Sequence, residues 1–251
     1  MVEKISEREQ HFLENGKILD DEVQTAKLSK NDVVVEIGAG DGRLTKRISE
    51  KAKFVFAYEK DERFKQTLEN LKLKNVEFVF SDALKSKWQR HDKIVANIPY
   101  SISGPLIEKA IKEGTKELTL IVGRKFKEVL EKRETKIGVV ANLYFDVEIF
   151  DEIKRENFSP KPRTDSYLIR LKRKKPTEIE VVLQAILEKD CKTKNAILKT
   201  FVGLGRTKNS ARKILDEMNL NSETLEKSVK SVSGKFIEKV EEKLKELRGQ
   251  L

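Results

Sequence analysis

The most chemically specific part of the sequence is the tetrapeptide Asn97-Ile98-Pro99-Tyr100, which follows a short apolar run. The side-chain oxygen of Asn97 and the carbonyl group of Ile98 can accept hydrogen bonds from an exocyclic amine. Pro99 restricts the turn, and Tyr100 offers an aromatic face on which a base can stack. Acceptors that hold both N–H bonds of an aryl amine aim its lone pair. The tetrapeptide therefore indicates methylation of an amino group on a nucleobase. Taken alone, it could also be a turn that contains Asn and Pro by chance.

A loop with glycines at alternate positions, Gly38, Gly40 and Gly42, follows the apolar run 33–37. Such glycines permit a tight turn and let backbone N–H groups approach a ligand at the start of a helix. Asp41 lies inside the turn, where its carboxylate would repel a pyrophosphate. S-adenosylmethionine has no phosphate and carries a cationic sulfonium and ammonium, so the loop favours this methyl donor over NAD.

Two acidic residues close the next apolar runs and are predicted to bind the donor. Glu59 follows Gly42 at close to the ~20 residues at which an acidic side chain usually meets ribose hydroxyls. Asp82 can accept a hydrogen bond from the adenine amino group, while Ala83 leaves room for the ring. Each carboxylate taken singly could equally be a solvated residue at a strand end.

A second aromatic residue begins the segment 158–166, which two prolines stiffen. Phe158 could face Tyr100, so that a base displaced from its stack is clamped between the two rings. Lys161 and Arg163 would then meet the flanking phosphates. A rigid surface loop whose Phe158 is buried in the core is the equally weighted alternative.

These residues need a scaffold of strands that alternate with helices, and the sequence predicts one. Short apolar runs alternate with helix-like segments, as in βαβ units of a mostly parallel, doubly wound α/β sheet. The predicted strands are 33–37, 54–58, 76–80, 94–96 and 118–122. The predicted helices include 44–48, a stripe of Phe64, Leu68 and Leu71, and a segment from Pro105 to Ile111. Residues 137–150 and 166–171 are predicted as two further strands in a hairpin-like ending that makes the sheet mixed.

The composition changes at the basic run 172–175, and beyond it the apolar residues follow helical spacing. We therefore predict a catalytic domain at 1–175 and a small helical domain at 176–251 that contacts the substrate RNA. The basic run itself could touch RNA or be a solvated linker, and the generally basic composition favours the linker. The predicted helical stripes begin at Ile179, Ile197, Ile214 and Phe236.

The chain has 251 residues and a net charge of +10, which favours a polyanionic partner. Charged residues make up 37% of the chain. The alternative to a polyanionic partner is therefore a solvated, highly charged surface like that of many thermophile proteins. The single cysteine, Cys191, excludes an internal disulfide, and His11 and His91 lack metal-ligand spacing, so we expect no metal. No secretory signal or membrane span is evident, which predicts a cytoplasmic protein. A monomer is the default expectation, since the sequence does not reveal the oligomeric state.

Together these motifs resemble the small-subunit ribosomal RNA adenine dimethyltransferase family, the KsgA/Dim type, from about Glu9 to Leu171. The segments that carry the resemblance are 10–13, 35–45, 58–59, 81–83, 97–100 and 158–166. The family has a glycine before Gln10, where this chain has Glu9. The resemblance implies a class I, Rossmann-like methyltransferase fold of seven strands, the last of them antiparallel. It implies that S-adenosylmethionine is bound at His11, Leu13, Gly38, Glu59, Asp82 and Asn97.

The resemblance also implies a substrate, which is a pair of adjacent adenosines in a hairpin near the 3′ end of small-subunit rRNA. Each adenosine would be methylated twice on N6, with rRNA or an immature small ribosomal subunit as the partner. Within the same fold, the alternative is a large-subunit rRNA adenine methyltransferase of the macrolide-resistance type, which shares Asn-Ile-Pro-Tyr. Another class is a non-catalytic ribosome-assembly factor that binds RNA through its charge. An NAD-dependent dehydrogenase is disfavoured by Asp41 and by the lack of a proton-relay histidine.

Overall fold

A computed structural model describes residues 11–247, so Glu9 and Gln10 lie outside the described residues. The chain forms two compact units. The first runs up to Glu128 and includes Phe145–Arg173, whereas the second combines Val129–Tyr144 with the chain from Lys174 onward. The prediction had placed 129–144 in the first domain, because it drew one continuous boundary near residue 175.

The first unit is built on a mixed sheet of seven strands, whose runs of β-branched and aromatic residues suit strands covered on both faces. Its strands are β2 (Val33–Ile37), β3 (Phe54–Glu59), β4 (Val76–Phe80), β5 (Lys93–Asn97), β6 (Glu117–Gly123), β7 (Phe145–Ile153) and β9 (Ser166–Arg173). A separate two-stranded sheet pairs β1 (Phe12–Leu13) with β8 (Phe158–Ser159).

The strand order in the large sheet is β4-β3-β2-β5-β6-β9-β7. Strands β2 to β6 run parallel to one another, and β9 pairs antiparallel with both β6 and β7. The strand order reverses between the adjacent strands β2 and β5, and open α/β sheets bind their ligands at such a point. The predicted α/β class with a mixed, mostly parallel sheet is confirmed, and all five predicted parallel strands are present.

Helices cover the large sheet and orient the loops at the carboxyl ends of its strands. Those in the first unit are α1 (Gly16–Thr25), α2 (Arg43–Lys51), α3 (Lys65–Glu69) and α4 (Ser103–Lys112). Helix α5 (Arg124–Lys132) begins in the first unit and ends in the second. Helix α2 buries Leu44 and Ile48, which are four residues apart and therefore lie on one face. Three of these helices match predicted segments, whereas α1 and α5 had no counterpart in the prediction.

The prediction of a strand over residues 137–150 is wrong in its first half. Residues Lys136–Tyr144 form α6, and the strand begins only at Phe145. The β-branched residues here favour a strand locally. However, Val139 and Leu143, four residues apart on a helix, both lie in the hydrophobic core of the second unit. Burial of that face outweighs the local preference.

The regular elements in the described part of the second unit are helices, as predicted for the carboxyl-terminal region, and one isolated β-bridge joins Lys192 to Ser228. After α6 it contains α7 (Glu178–Leu187), α8 (Thr193–Gly203), α9 (Lys208–Glu217), α10 (Ser222–Glu226) and α11 (Gly234–Glu246). Its core includes Leu183, Ile197, Phe201 and Met218. Within residues 11–247, no helix is both long enough and apolar enough to cross a membrane.

Candidate active site

A cavity of about 560 Å³ opens at the carboxyl ends of β2, β3, β4 and β5 in the first unit. Its volume falls within the range of ordinary ligand sites. Lys161 and Arg163, predicted to meet the flanking phosphates, do not line it, whereas all ten residues predicted to bind the donor or the target base do, although 147 positions separate the first of the ten from the last. These residues are His11, Leu13, Gly38, Gly40, Glu59, Asp82, Asn97, Pro99, Tyr100 and Phe158.

The glycine loop between β2 and α2 needs its glycines for backbone conformation. Gly38, Gly40 and Gly42 have φ angles of 79°, 54° and 81°, a region that L side chains rarely adopt. Gly40 also gives room to Phe12, because a Cβ atom on Gly40 would lie 3.1 Å from the Phe12 ring. The loop thus lets the backbone line the cavity closely.

Glu59 ties the end of β3 to this loop. Its two carboxylate oxygens accept hydrogen bonds from the backbone N–H groups of Gly40 (2.8 Å) and Asp61 (2.7 Å). The side chain is buried, yet it lines the cavity. Each carboxylate oxygen has a second lone-pair site, so the group can still accept from a ligand hydroxyl.

Two other acidic residues at the cavity have partners that the sequence did not predict. The carboxylate of Asp82 accepts from the N–H of Leu84 and lies 3.7 Å from the ammonium of Lys60. Asp41 pairs with the guanidinium of Arg43 at 2.7 Å. This pairing offsets part of the negative charge on which the argument against a pyrophosphate relied.

The tetrapeptide lies where β5 ends. Asn97 is the last residue of β5, and Pro99 leads into a single 3₁₀ turn, Tyr100–Ile102. The hydroxyl group of Tyr100 shares a 2.5 Å hydrogen bond with that of Ser166. Burial raises the pKa of Tyr100, and the negative charge of Asp165 adds to this, while the bond to Ser166 lowers it. The phenol is therefore neutral at physiological pH.

The β1–β8 pairing brings the amino-terminal segment to the same cavity. Phe12 faces Ser159 and Leu13 faces Phe158, and the ring of His11 bonds the carbonyl oxygen of Pro160 through Nδ1 at 2.7 Å. Because that carbonyl can only accept, Nδ1 is the donor. Two strands of two residues each gave no pattern from which this pairing could be predicted.

Phe158 is almost completely buried and belongs to the hydrophobic core of the first unit. Burial in the core is the alternative that the sequence had left open, and the ring also lines the cavity. The ring that lies beside Tyr100 is that of His11, at 6.2 Å between centroids.

The first unit also contains two buried carboxyl groups that the sequence analysis did not single out. Glu36 on β2 and Glu22 on α1 are completely buried. Burial raises the pKa of Glu36 to about 8; the nearby Thr45 hydroxyl offsets part of this, and the charges of Glu59 and Asp41 add to it. Burial also raises the pKa of Glu22, with Glu36 contributing. An acidic residue inside a β-branched run was the available signal for Glu36.

Comparison with known proteins decides the family. The sequence profile of the ribosomal RNA adenine dimethylases matches residues 3–235. The chain belongs to this family. A curated relative is a probable ribosomal RNA small subunit methyltransferase A of Methanococcus maripaludis, 31% identical over 88% of this chain and 91% of the relative. The Thermotoga maritima ribosomal RNA small subunit methyltransferase A is 35% identical over 78% of this chain and 74% of its own.

Solved structures of this fold agree with the sheet described above. A dimethyladenosine transferase from Plasmodium falciparum superimposes with a TM-score of 0.66 at 24% identity, covering 95% of this chain and 98% of that one. The 23S rRNA methyltransferase ErmE gives 0.65 at 23% identity, covering 93% and 99%. At such identities the likeness establishes the Rossmann-like methyltransferase fold alone. The family resemblance inferred from the sequence motifs is confirmed.

Proposed function

We propose that this protein transfers methyl groups from S-adenosylmethionine to N6 of two adjacent adenosines in a hairpin near the 3′ end of small-subunit rRNA, giving N6,N6-dimethyladenosine. The observation that carries the proposal is the position of Asn97 and Tyr100 at the same cavity as the glycine loop, Glu59 and Asp82. Acceptors for a base amine and acceptors for a nucleoside cofactor thus share one chamber.

The residues present fit S-adenosylmethionine, which when bound supplies an electrophilic methyl group on a cationic sulfur. Glu59 would accept from the ribose hydroxyls, and Asp82 from the adenine amino group. Gly38 and Gly40 would admit the cofactor close to the backbone, and His11 and Leu13 would border it. The carboxylates at this cavity suit a ligand that carries positive charge.

Asn97 and Tyr100 would orient the target adenine. The side-chain oxygen of Asn97 and the carbonyl group of Ile98 would accept from the two N6 hydrogens, so that the nitrogen lone pair points at the methyl group. Pro99 fixes the turn that holds these acceptors, and Tyr100 would stack on the flipped base. Phe158 would contact the base from the cavity wall, with Lys161 and Arg163 meeting the flanking phosphates.

The partner in this proposal is small-subunit rRNA, free or within an immature small ribosomal subunit, and the protein acts as a cytoplasmic monomer. The net charge of +10 supports a polyanionic partner. The helical second unit would supply further RNA contacts. A large-subunit substrate is less favoured, because the curated relatives cited above carry small-subunit names, while ErmE matches in fold alone.

The proposal is tested by mass-spectrometric mapping of methylated adenosines after unmodified small subunits are incubated with the protein and S-adenosylmethionine. We expect dimethylation of two adjacent adenosines, and none in isolated large subunits. Asn97→Ala should lower turnover about 100-fold or more, as loss of a well-placed transition-state acceptor does. RNA affinity should stay nearly constant because phosphate contacts supply most of it.

A matched control is Asn70→Ala, which changes an exposed asparagine that does not line the cavity. It should leave both turnover and RNA binding unchanged. Full turnover in Asn97→Ala would refute the proposed role of Asn97 as an acceptor for the N6 amine. Methylation of large subunits alone would replace the proposed substrate with the macrolide-resistance type.

A further inference from the structure

The last residue pair of the β6–β9 ladder lies directly under Tyr100. In this antiparallel register Gly123 faces Ser166. Side chains of directly opposed residues project from the same face of a sheet. Both residues are buried, Ser166 with no exposed surface. On this face of the sheet, the end of β6 therefore carries no side chain at Gly123, and the start of β9 carries the hydroxyl group of Ser166.

Gly123 leaves the space that the ring of Tyr100 occupies. A Cβ atom on Gly123 would lie 2.7 Å from Cδ2, 2.8 Å from Cγ and 3.1 Å from Cε2 of that ring. All three distances are shorter than ordinary van der Waals contact, and Cγ is the rigid root of the ring. The φ angle of Gly123 is not positive, so its backbone conformation does not require glycine. Space, and not backbone conformation, is therefore what this glycine provides.

Ser166 holds the opposite end of the same side chain. Its hydroxyl group lies 2.5 Å from the hydroxyl of Tyr100, so the two share a hydrogen bond. Tyr100 itself is half-buried. Its ring is thus held along one edge by the Gly123 backbone and at its tip by Ser166, while the side chain still borders the cavity.

We propose that Gly123 and Ser166 are positioning residues that form a socket for Tyr100, and that this socket sets the plane in which the target base stacks. The inference rests on the function proposed above, because it assumes that Tyr100 contacts the base. It assigns a task to the antiparallel strand β9, which brings Ser166 to the end of β6. A methyl group at position 123 would move the ring by about 0.7 Å, from 2.7 Å to ordinary contact near 3.4 Å.

The socket is tested without RNA by a double-mutant cycle on stability. Gly123→Ala should lower the unfolding midpoint in the wild-type background but much less in a Tyr100→Ala background, where the ring is gone. Gly203→Ala is the matched control, since a Cβ atom there meets nothing within 4 Å. An equal loss from Gly123→Ala in both backgrounds would overturn the socket.

The consequence for function is tested by steady-state methylation of small subunits. Gly123→Ala should lower kcat about 10- to 100-fold, because a displacement of this order in the ring that orients the base misaligns the reacting atoms, with little change in RNA affinity. Ser166→Ala and Tyr100→Phe should each lower kcat about 2- to 10-fold, because each removes one partner of the same hydrogen bond. The double variant should be no worse than the poorer single one.

The outcomes separate the inference from the function on which it rests. If the wild-type protein methylates small subunits and Gly123→Ala does so at full rate, the positioning role is refuted and the function stands. If the double variant loses kcat by the product of the two single losses, Ser166 does not act through its hydrogen bond to Tyr100, and its positioning role is refuted. If the stability cycle shows coupling while no substrate is methylated, the socket stands and the proposed function fails.

Discussion

Replacement of Glu36 by Gln should make the protein more stable, and increasingly so as the pH rises. In the native state this completely buried carboxyl has a pKa of about 8, against an ordinary value of 4.5. Between these values the native state keeps a proton that the unfolded state has lost. The wild-type protein therefore has its full stability below about pH 4.5 and loses stability as the pH rises to about 8.

The magnitude follows from the two pKa values. One pKa unit corresponds to 1.36 kcal/mol, so ionisation of the unfolded state should cost the wild-type protein about 1 kcal/mol at pH 5 and about 3 kcal/mol at pH 7. At pH 8 the cost reaches about 4 kcal/mol by the same relation. The amide that Glu36→Gln introduces cannot ionise and has nearly the same shape as the carboxyl group. The advantage of this variant should thus grow by roughly 3 kcal/mol between pH 5 and pH 8.

The assay is urea unfolding of both proteins at pH 5, 6, 7 and 8, with the free energy of unfolding extrapolated to water. Glu77→Gln, which changes an exposed carboxyl on strand β4 of the same sheet, serves as the matched control. Its advantage over the wild type should not vary with pH. Parallel pH profiles for Glu36→Gln and the wild type would refute the reasoning, because they would mean that Glu36 ionises as readily in the folded state as in the unfolded one.

Three further predictions concern single side chains. Glu59→Gln leaves one of the backbone N–H groups of Gly40 and Asp61 without its acceptor. The Kd for S-adenosylmethionine, measured by calorimetry, should therefore rise about 10-fold or more. An unchanged Kd would contradict the role assigned to Glu59. Gly42→Ala should lower the free energy of unfolding, measured by urea denaturation, by about 1–3 kcal/mol. The reason is that φ at Gly42 is 81° and a Cβ atom there would lie 2.4 Å from the Leu71 side chain. A variant as stable as the wild type would contradict this. Thr177→Ala removes the capping box with Glu180 and should lower the free energy of unfolding by about 1 kcal/mol in urea, and an unchanged value would contradict this.

The central strands and their ligand-binding ends could be predicted from the sequence because each depends on a local pattern. The run Val33–Ile37 is apolar and β-branched, and glycines follow it. A polar residue directly after such a run lies at the carboxyl end of its strand, and this position does not depend on packing between distant parts of the chain. The sequence predicts Glu59, Asp82 and Asn97 in this way, and all three line the cavity.

Features that depend on long-range packing could not be predicted in the same way. Helix α6 carries a strand-like sequence, and its conformation follows from the core that it shares with α7 and α11. The β1–β8 pairing joins residues about 146 positions apart through two short strands. The hydrogen bond between Tyr100 and Ser166 likewise depends on the register of β9 against β6, which no local pattern specifies.

The discontinuous make-up of the second unit restricts how the protein can be dissected. A fragment that starts at Lys174 would lack α6, and with it Val139 and Leu143, which are fully or almost fully buried in the helical core. Such a fragment would expose the apolar surface that those two side chains cover. Removing 174–251 would in turn leave α6 without its packing partners. Separate expression of the helical unit therefore calls for a circularly permuted or linked design in which residues 129–144 accompany residues 174–251.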